Sequence, residues 1–247
     1  MGDFDVSLLS LSEKIELVEE CGSVVDLSND KDDLLEVFDL LKNDSNWRVR
    51  LALAEKGLFL EELKNDEHSY VRREVADHGY ALDELKNDSI WLVRKAVAEQ
   101  GYALYHLVND KDENVRAAVA EQGAYLDELE CDEAWQVREA VAEQGYALDE
   151  FKNDKDWKVR EAVVKQGAFL DELKNDKDWQ IRATVASMGY ALGELKNDVE
   201  YRVRRAVAEQ GYALDELKDD VEKTVRAAAE SKIKSNEFKL KAISKLT

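Results

Sequence analysis

Apolar and polar positions along this chain recur every 22 residues from Leu41 to Glu216, without insertion or deletion, and a further copy starts at Leu217. In the copy from Leu129, Val137, Ala140 and Val141 stand at i, i+3 and i+4, which places three apolar side chains on one helix face. The pattern predicts a helix of about three turns in each copy, with that face toward the core. The Asn-Asp pair ahead of it offers side-chain oxygens as an N-cap for the unpaired N–H groups of the first turn. Gly57, Gly79, Gly101, Gly123, Gly145, Gly167, Gly189 and Gly211 follow the helices, where a residue at positive φ ends a helix. After the glycine comes a short stretch such as Tyr146-Ala147-Leu148-Asp149-Glu150, leading to Phe151. It is too short for a full helix and predicts a 3₁₀ or single α turn. Its aromatic alternates, as Tyr146-Ala147 in one copy and Ala124-Tyr125, Ala168-Phe169 or Leu58-Phe59 in others, which reads as a ring and a small residue sharing core space.

A short strict period means an α-solenoid, in which each unit buries its apolar face only against its neighbours. The expected fold is therefore all-α, with an α-helix and a short turn in every 22-residue repeat. Residues 1–40 lie outside the period and predict an acidic helical N-terminal cap. Within them a helix starts at Ser12 and stops near Gly22, and a second helix runs from about Asn29 or Asp30 to Leu41, with Leu34, Leu35, Val37, Phe38 and Leu41 as its apolar face. Residues 41–216 form eight repeats, and 217–247 a ninth partial repeat with a basic C-terminal cap.

Two charges hold fixed places in the period. Asp stands at Asp44, Asp66, Asp88, Asp110, Asp132, Asp154, Asp176, Asp198 and Asp220, and Arg six residues later at Arg50, Arg72, Arg94, Arg116, Arg138, Arg160, Arg182, Arg204 and Arg226. A buried or half-buried Arg needs a partner, and an Asp of the same or an adjacent repeat would supply it. The expectation is a structural ladder, because a pair present in every unit marks no unique site.

The Asp-x5-Arg spacing inside LKNDxxWxVRxAVAEQG resembles leucine-rich repeat variant units and the second helix of HEAT repeats, over about residues 41–230. The resemblance implies a right-handed superhelix of α-helices alternating with short 3₁₀-like helices. HEAT-type relatives serve mostly as protein-binding scaffolds, and a few are DNA glycosylases with aromatic and acidic residues in a concave groove. The present repeat is two residues shorter than the variant unit and lacks its prolines, and the iron–sulfur cysteine cluster of that family's founding type has no counterpart.

Composition narrows the function. The formal net charge is −20. Residues 1–40 contribute −10 (12 acids, 2 bases), residues 107–150 another −10 (13 acids, 3 bases), while 217–247 is +3. Such acidity argues against a general phosphate-backbone binder and leaves a basic protein partner or a solvated solubility surface. The segment 1–14 lacks the basic region of a secretory signal, Val6 stands where a myristoylation motif wants Ser or Thr, and no apolar run is long enough to span a membrane. Cys21 and Cys131 lie far apart in sequence and read as reduced thiols, so a cytoplasmic location is expected.

Catalysis finds no support in the motifs. His68, His78 and His106 occupy three different repeat positions, and there is no zinc-protease motif, paired cysteine motif, phosphate loop or dinucleotide fingerprint. No enzyme activity, metal or cofactor is expected.

One aromatic row stands out. The five tryptophans, Trp47, Trp91, Trp135, Trp157 and Trp179, share one repeat position, which Tyr201 continues and Ser69, Glu113 and Lys223 fill elsewhere. Neighbouring helices lie roughly 8–10 Å apart, so Trp135, Trp157, Trp179 and Tyr201 predict four successive rungs. Each ring either covers a seam between repeats or anchors a partner. Glu121, Glu139, Glu143 and Glu161 predict an acidic floor beside the rings, which is either plainly solvated or a groove for Lys and Arg.

The functional expectation is a protein-binding scaffold that uses these rings and carboxylates, Trp91 included, to hold a basic partner. The alternative is an acidic mimic of nucleic acid that inhibits a DNA- or RNA-handling enzyme, conceivable in a phage–host conflict. Duplex DNA carries one charge per about 1.7 Å. Two units spaced at about 9 Å reach that density over 107–150, whereas the whole array does not. A third reading, a HEAT-like DNA glycosylase relative, requires a basic groove.

Overall fold

The structure, a computed structural model, describes residues 8–21 and 37–243. The described residues contain helices and turns and no strand. The chain divides into two compact units, Met1–Tyr125 and Leu126–Thr247.

In the first unit the long helices are Leu11–Cys21, Trp47–Glu55, Ser69–Asp77, Trp91–Glu99 and Glu113–Glu121, each packed on the next. Between the repeat helices stand four-residue α turns at Leu60–Leu63, Leu82–Leu85 and Leu104–Leu107. In the second unit, Trp135–Glu143, Trp157–Lys165, Trp179–Ser187, Tyr201–Gln210 and Lys223–Ile243 pack successively in the same way. The expected all-α repeat stack is the observed architecture.

The buried face of a repeat helix is wider than its apolar spacing alone marks out. In Trp135–Glu143 the buried residues are Val137, Arg138, Ala140, Val141 and Ala142, two more than the i, i+3, i+4 pattern predicts. Alanines at two of these places permit close helix approach. Val137 and Val141 are fully buried, each stabilising the stack by about 1.5–3 kcal/mol relative to exposure.

The helix stop follows the predicted mechanism. Gly145 has φ +76°, its N–H donates to the Ala142 carbonyl at 2.9 Å, and the Tyr146 N–H reaches back to Val141 at 3.4 Å. These two bonds make a Schellman motif, which a side chain at Gly145 would strain. Two residues later a second left-handed residue begins the short turn, and here it is never glycine. Ala147 has φ 51°, and Phe59, Tyr125 and Phe169 hold the place in other repeats.

Three local expectations need correction. The first helix begins at Leu11, not Ser12, because Ser10 makes a capping box: its hydroxyl and N–H both donate to Glu13 Oε2, at 2.6 and 2.8 Å. The repeat Asp does not cap the long helix directly. Asp154 Oδ1 accepts from the Asp156 N–H at 2.8 Å, and Asp156 is the residue that caps, accepting from Lys158 N–H at 2.9 Å. The repeat helix is accordingly nine residues long, with the ring position as its first residue. The alternating aromatics are not core. Tyr146 is 39% exposed, and Phe169 lies half-buried under the Lys152 ammonium, 4.4 Å from its centroid. Just beyond the Schellman glycine the ring packs under the lysine near the start of its own repeat, not in the core. The helix expected from Asn29 or Asp30 is described only over 37–41, and Gly22 lies outside the described residues.

Candidate functional site

The Asp–Arg ladder crosses the seam between repeats. Arg138 Nε and Nη2 donate to Asp154 Oδ2 and Oδ1 at 2.7 and 3.0 Å, while its Nη1 donates to the carbonyl of Asp132, in its own repeat, at 2.7 Å. The same bidentate grip joins Arg50 to Asp66, Arg72 to Asp88 and Arg94 to Asp110 in the first unit. In the second unit it joins Arg160 to Asp176, Arg182 to Asp198 and Arg204 to Asp220. Arg116 donates Nη1 to the Asp110 carbonyl at 2.8 Å, and Arg226 makes the equivalent bond to Asp220 at 2.6 Å. The first aspartate, Asp44, has no preceding repeat and is held instead by Lys14 at 2.6 Å.

Burial pushes the Asp154 carboxyl up, but the Arg138 bonds, the Asp156 N–H and the Arg138 charge outweigh it and hold it below the ordinary carboxylate range. The polar groups of this grip thus have structural partners within and across the repeat.

A second, outer ladder runs along the surface. Lys152 bridges Asp149 of the preceding repeat at 2.8 Å and Glu172 of its own at 3.1 Å, and Lys174 bridges Asp171 and Glu194 in the same way. Val108 and Glu130 stand where the other copies carry this lysine.

The ring row falls in both units. Trp91 belongs to the first and is 38% exposed. In the second, Trp135, Trp157, Trp179 and Tyr201 are each the first residue of consecutive packed helices, and all are half-buried. Their outer faces are used unequally. Lys158 Nζ sits 3.8 Å from the Trp135 centroid, and the Arg202 guanidinium 4.7 Å from Trp179 and 4.8 Å from Tyr201. Trp157, whose counterpart one repeat on is Gln180, meets no such cation among the described residues. In the first unit Trp47 stacks on His68 at 4.1 Å, with Tyr70 5.7 Å away. Nothing in the repeat pattern announced that stack.

Of the predicted acidic residues, Glu121 lies in the first unit and Glu139, Glu143 and Glu161 in the second. Glu139 is half-buried, and its carboxyl is raised by burial and by Glu143 and Glu161 against the lowering pull of Lys158 and Lys165. Glu161 accepts from Thr184 Oγ1 and pairs with Lys165, both at 3.0 Å. Glu143 is exposed, and its carbonyl accepts from Gln166 Nε2 of the next repeat at 2.8 Å. The arrangement offers aromatic faces beside carboxylates, which suits cations and hydrogen-bond donors. No three His, Cys, Asp or Glu side chains among the described residues are grouped to hold a metal ion, and no described helix is long and apolar enough to cross a membrane.

No family model and no curated protein matches this chain. Among solved structures it is similar to a designed armadillo repeat protein in complex with the peptide (KR)4, with 16% identity, TM-score 0.18, 92% of this chain and 99% of that chain covered. It is also similar to computationally designed armadillo repeat proteins for modular peptide recognition, with 14% identity, TM-score 0.14 and coverage of 91% and 99%. TM-scores this low carry no weight for fold or function, and the likeness to leucine-rich repeat variant and HEAT units stays a resemblance.

Proposed function

We propose that the chain is a protein-binding scaffold whose second unit holds a basic polypeptide segment along the ring row. The observation that carries this reading is the uneven use of the rings: Trp135 and Trp179 already seat a Lys and an Arg, while Trp157 between them meets none among the described residues. A Lys or Arg of the partner takes the Trp157 face, where a cation over an indole contributes about 1 kcal/mol. Glu139 is half-buried with its carboxyl raised by burial and by Glu143 and Glu161, and an incoming cation relieves that cost. Glu143 and Glu161 orient the segment.

The test is fluorescence anisotropy with a labelled peptide of alternating Lys and Ser, at low and at physiological salt. Trp157→Ala weakens binding about fivefold at both salts, with the far-UV circular dichroism unchanged. Unchanged affinity in Trp157→Ala would sink the reading. Binding that vanishes at physiological salt and is displaced by duplex DNA points to nucleic-acid mimicry instead, because exposed charge pairs are screened and an aromatic anchor is not.

A further inference from the structure

One repeat of the first unit breaks the outer ladder in a specific way. In five repeats the lysine near the start pairs with the last glutamate of the same repeat: Lys42 with Glu62, Lys64 with Glu84, Lys152 with Glu172, Lys174 with Glu194 and Lys196 with Glu216, at 2.6–3.4 Å. Lys86 lacks this partner. His106 stands at the glutamate's place, where the seven other copies carry glutamate. The Lys86 ammonium keeps Asp83, at 2.5 Å, and its side chain is 18% exposed, the same as that of Lys152. The lysine is thus held in its usual ladder position with one carboxylate fewer.

Lys86 and His106 face a common hollow of about 360 Å³, whose wall also includes Arg94, Lys111, Asp88 and Asp110. Both aspartates are already engaged. Asp110 grips Arg94 and accepts from the Asp112 N–H, and Asp88 grips Arg72 and accepts from the Ile90 N–H. Lys111 is exposed and makes no ion pair among the described residues. His106 is exposed as well, with the Tyr105 ring edge-on at 6.4 Å between centroids.

The balance of charge sets this hollow apart from its equivalents. Here three bases, Lys86, Arg94 and Lys111, stand against two acids. The hollows beside Lys42, Lys64 and Lys174, of about 310, 370 and 400 Å³, each have two bases against three acids, one of which is the ladder glutamate. The wall also selects the kind of anion. Lys86 and Lys111 offer ammonium donors, His106 a ring N–H, and Asn87 and Asn109 carboxamide N–H groups. A phosphate group carries close to two charges at neutral pH and three strong acceptor oxygens, so it uses more of these donors than a carboxylate does. The net charge of −20 does not decide the matter, because at physiological salt the Debye length is about 8 Å and the hollow's own groups are nearest.

We propose that the hollow between Lys86, His106 and Lys111 binds a phosphate group, which takes beside Lys86 the place that the ladder glutamate takes in five other repeats. The site lies in the first unit and is independent of the ring row of the second.

The test titrates the full chain with inorganic phosphate near neutral pH at constant ionic strength, followed by nuclear magnetic resonance of the histidine rings and backbone amides. The His106 signals are assigned by their loss in His106→Glu. Phosphate shifts His106 and the amides of residues 109–111 saturably, with a dissociation constant in the millimolar range, and leaves His68 and His78 unmoved. Lys111→Gln weakens binding about fivefold, the loss of one charge-assisted hydrogen bond at an exposed position. His106→Glu supplies the carboxylate from within the chain and weakens binding by about tenfold or more. Seven other copies fold with glutamate there, and circular dichroism checks that this variant does too. Lys64→Gln, in the neighbouring hollow, leaves the affinity unchanged. Phosphoserine binding as tightly as inorganic phosphate assigns the site to a phosphate group carried on a larger molecule, and a preference for inorganic phosphate assigns it to the free ion. Shifts that never saturate, or that chloride reproduces at equal ionic strength, mean general screening and overturn the proposal. So does unchanged affinity in His106→Glu.

Discussion

Replacing Arg138 with Met removes the group that bridges two repeats and leaves the Asp154 carboxylate without its cation. The Asp154 side chain is 9% exposed and that of Arg138 7%, so water cannot take over either role. Removing one partner of such a pair costs about 3–5 kcal/mol. The Asp132 carbonyl also loses the 2.7 Å bond from Nη1. Asp154→Asn keeps an oxygen for the Asp156 N–H but strands the guanidinium, and belongs in the same range. With both changes made, no buried charge is left unpaired, so the double variant is less destabilised than the sum of the singles by about 2 kcal/mol or more. The assay is the urea-unfolding midpoint followed by circular dichroism, with the slope checked because repeat arrays can lose cooperativity. A pH series sharpens it. The Asp154 carboxyl is lower in the folded chain than in the unfolded one, so its contribution is complete above the ordinary carboxylate range and is lost as pH falls through the folded value. Wild type therefore loses more stability on acidification than Asp154→Asn does. Additivity of the single variants within about 0.5 kcal/mol would refute the reading of this pair as a seam-crossing clamp.

Two further substitutions probe the repeat turn and the outer ladder. Gly145→Ala destabilises by about 1 kcal/mol because an alanine there must hold φ +76°, whereas Ala147→Gly is stabilising or neutral because it relieves a left-handed alanine at φ 51°. Thermal midpoints moving in the same direction for both would contradict this account of the turn. Glu130→Lys restores the lysine that most repeats place between the i−3 acid of the preceding repeat and the last glutamate of their own, here Asp127 and Glu150. It raises stability by about 0.5 kcal/mol at low salt, and the gain fades in high salt. A gain that persists in high salt would rule out an exposed ion pair as its source.

What the sequence determined by itself is what lies within a single repeat. The 3.6-residue spacing of Val137, Ala140 and Val141 and the glycine stop at Gly145 depend on backbone sterics and on neighbours within a few positions, so helix, turn and repeat length are legible from the chain alone. Relations across the seam were open until the stack was in view. The spacing of six between Asp and Arg allowed a partner in the same repeat or the next, and the structure divides the guanidinium between them. Its Nη1 holds its own repeat's carbonyl while Nε and Nη2 hold the next repeat's carboxylate. The ring row was visible as a position, but which rings carry a cation depends on the residue that the following repeat lays across them, Lys158 or Arg202 in two cases and Gln180 in the third. A one-dimensional period fixes each unit's own conformation; only the register of one helix against its neighbour decides which side chains are satisfied and which are left open to a partner.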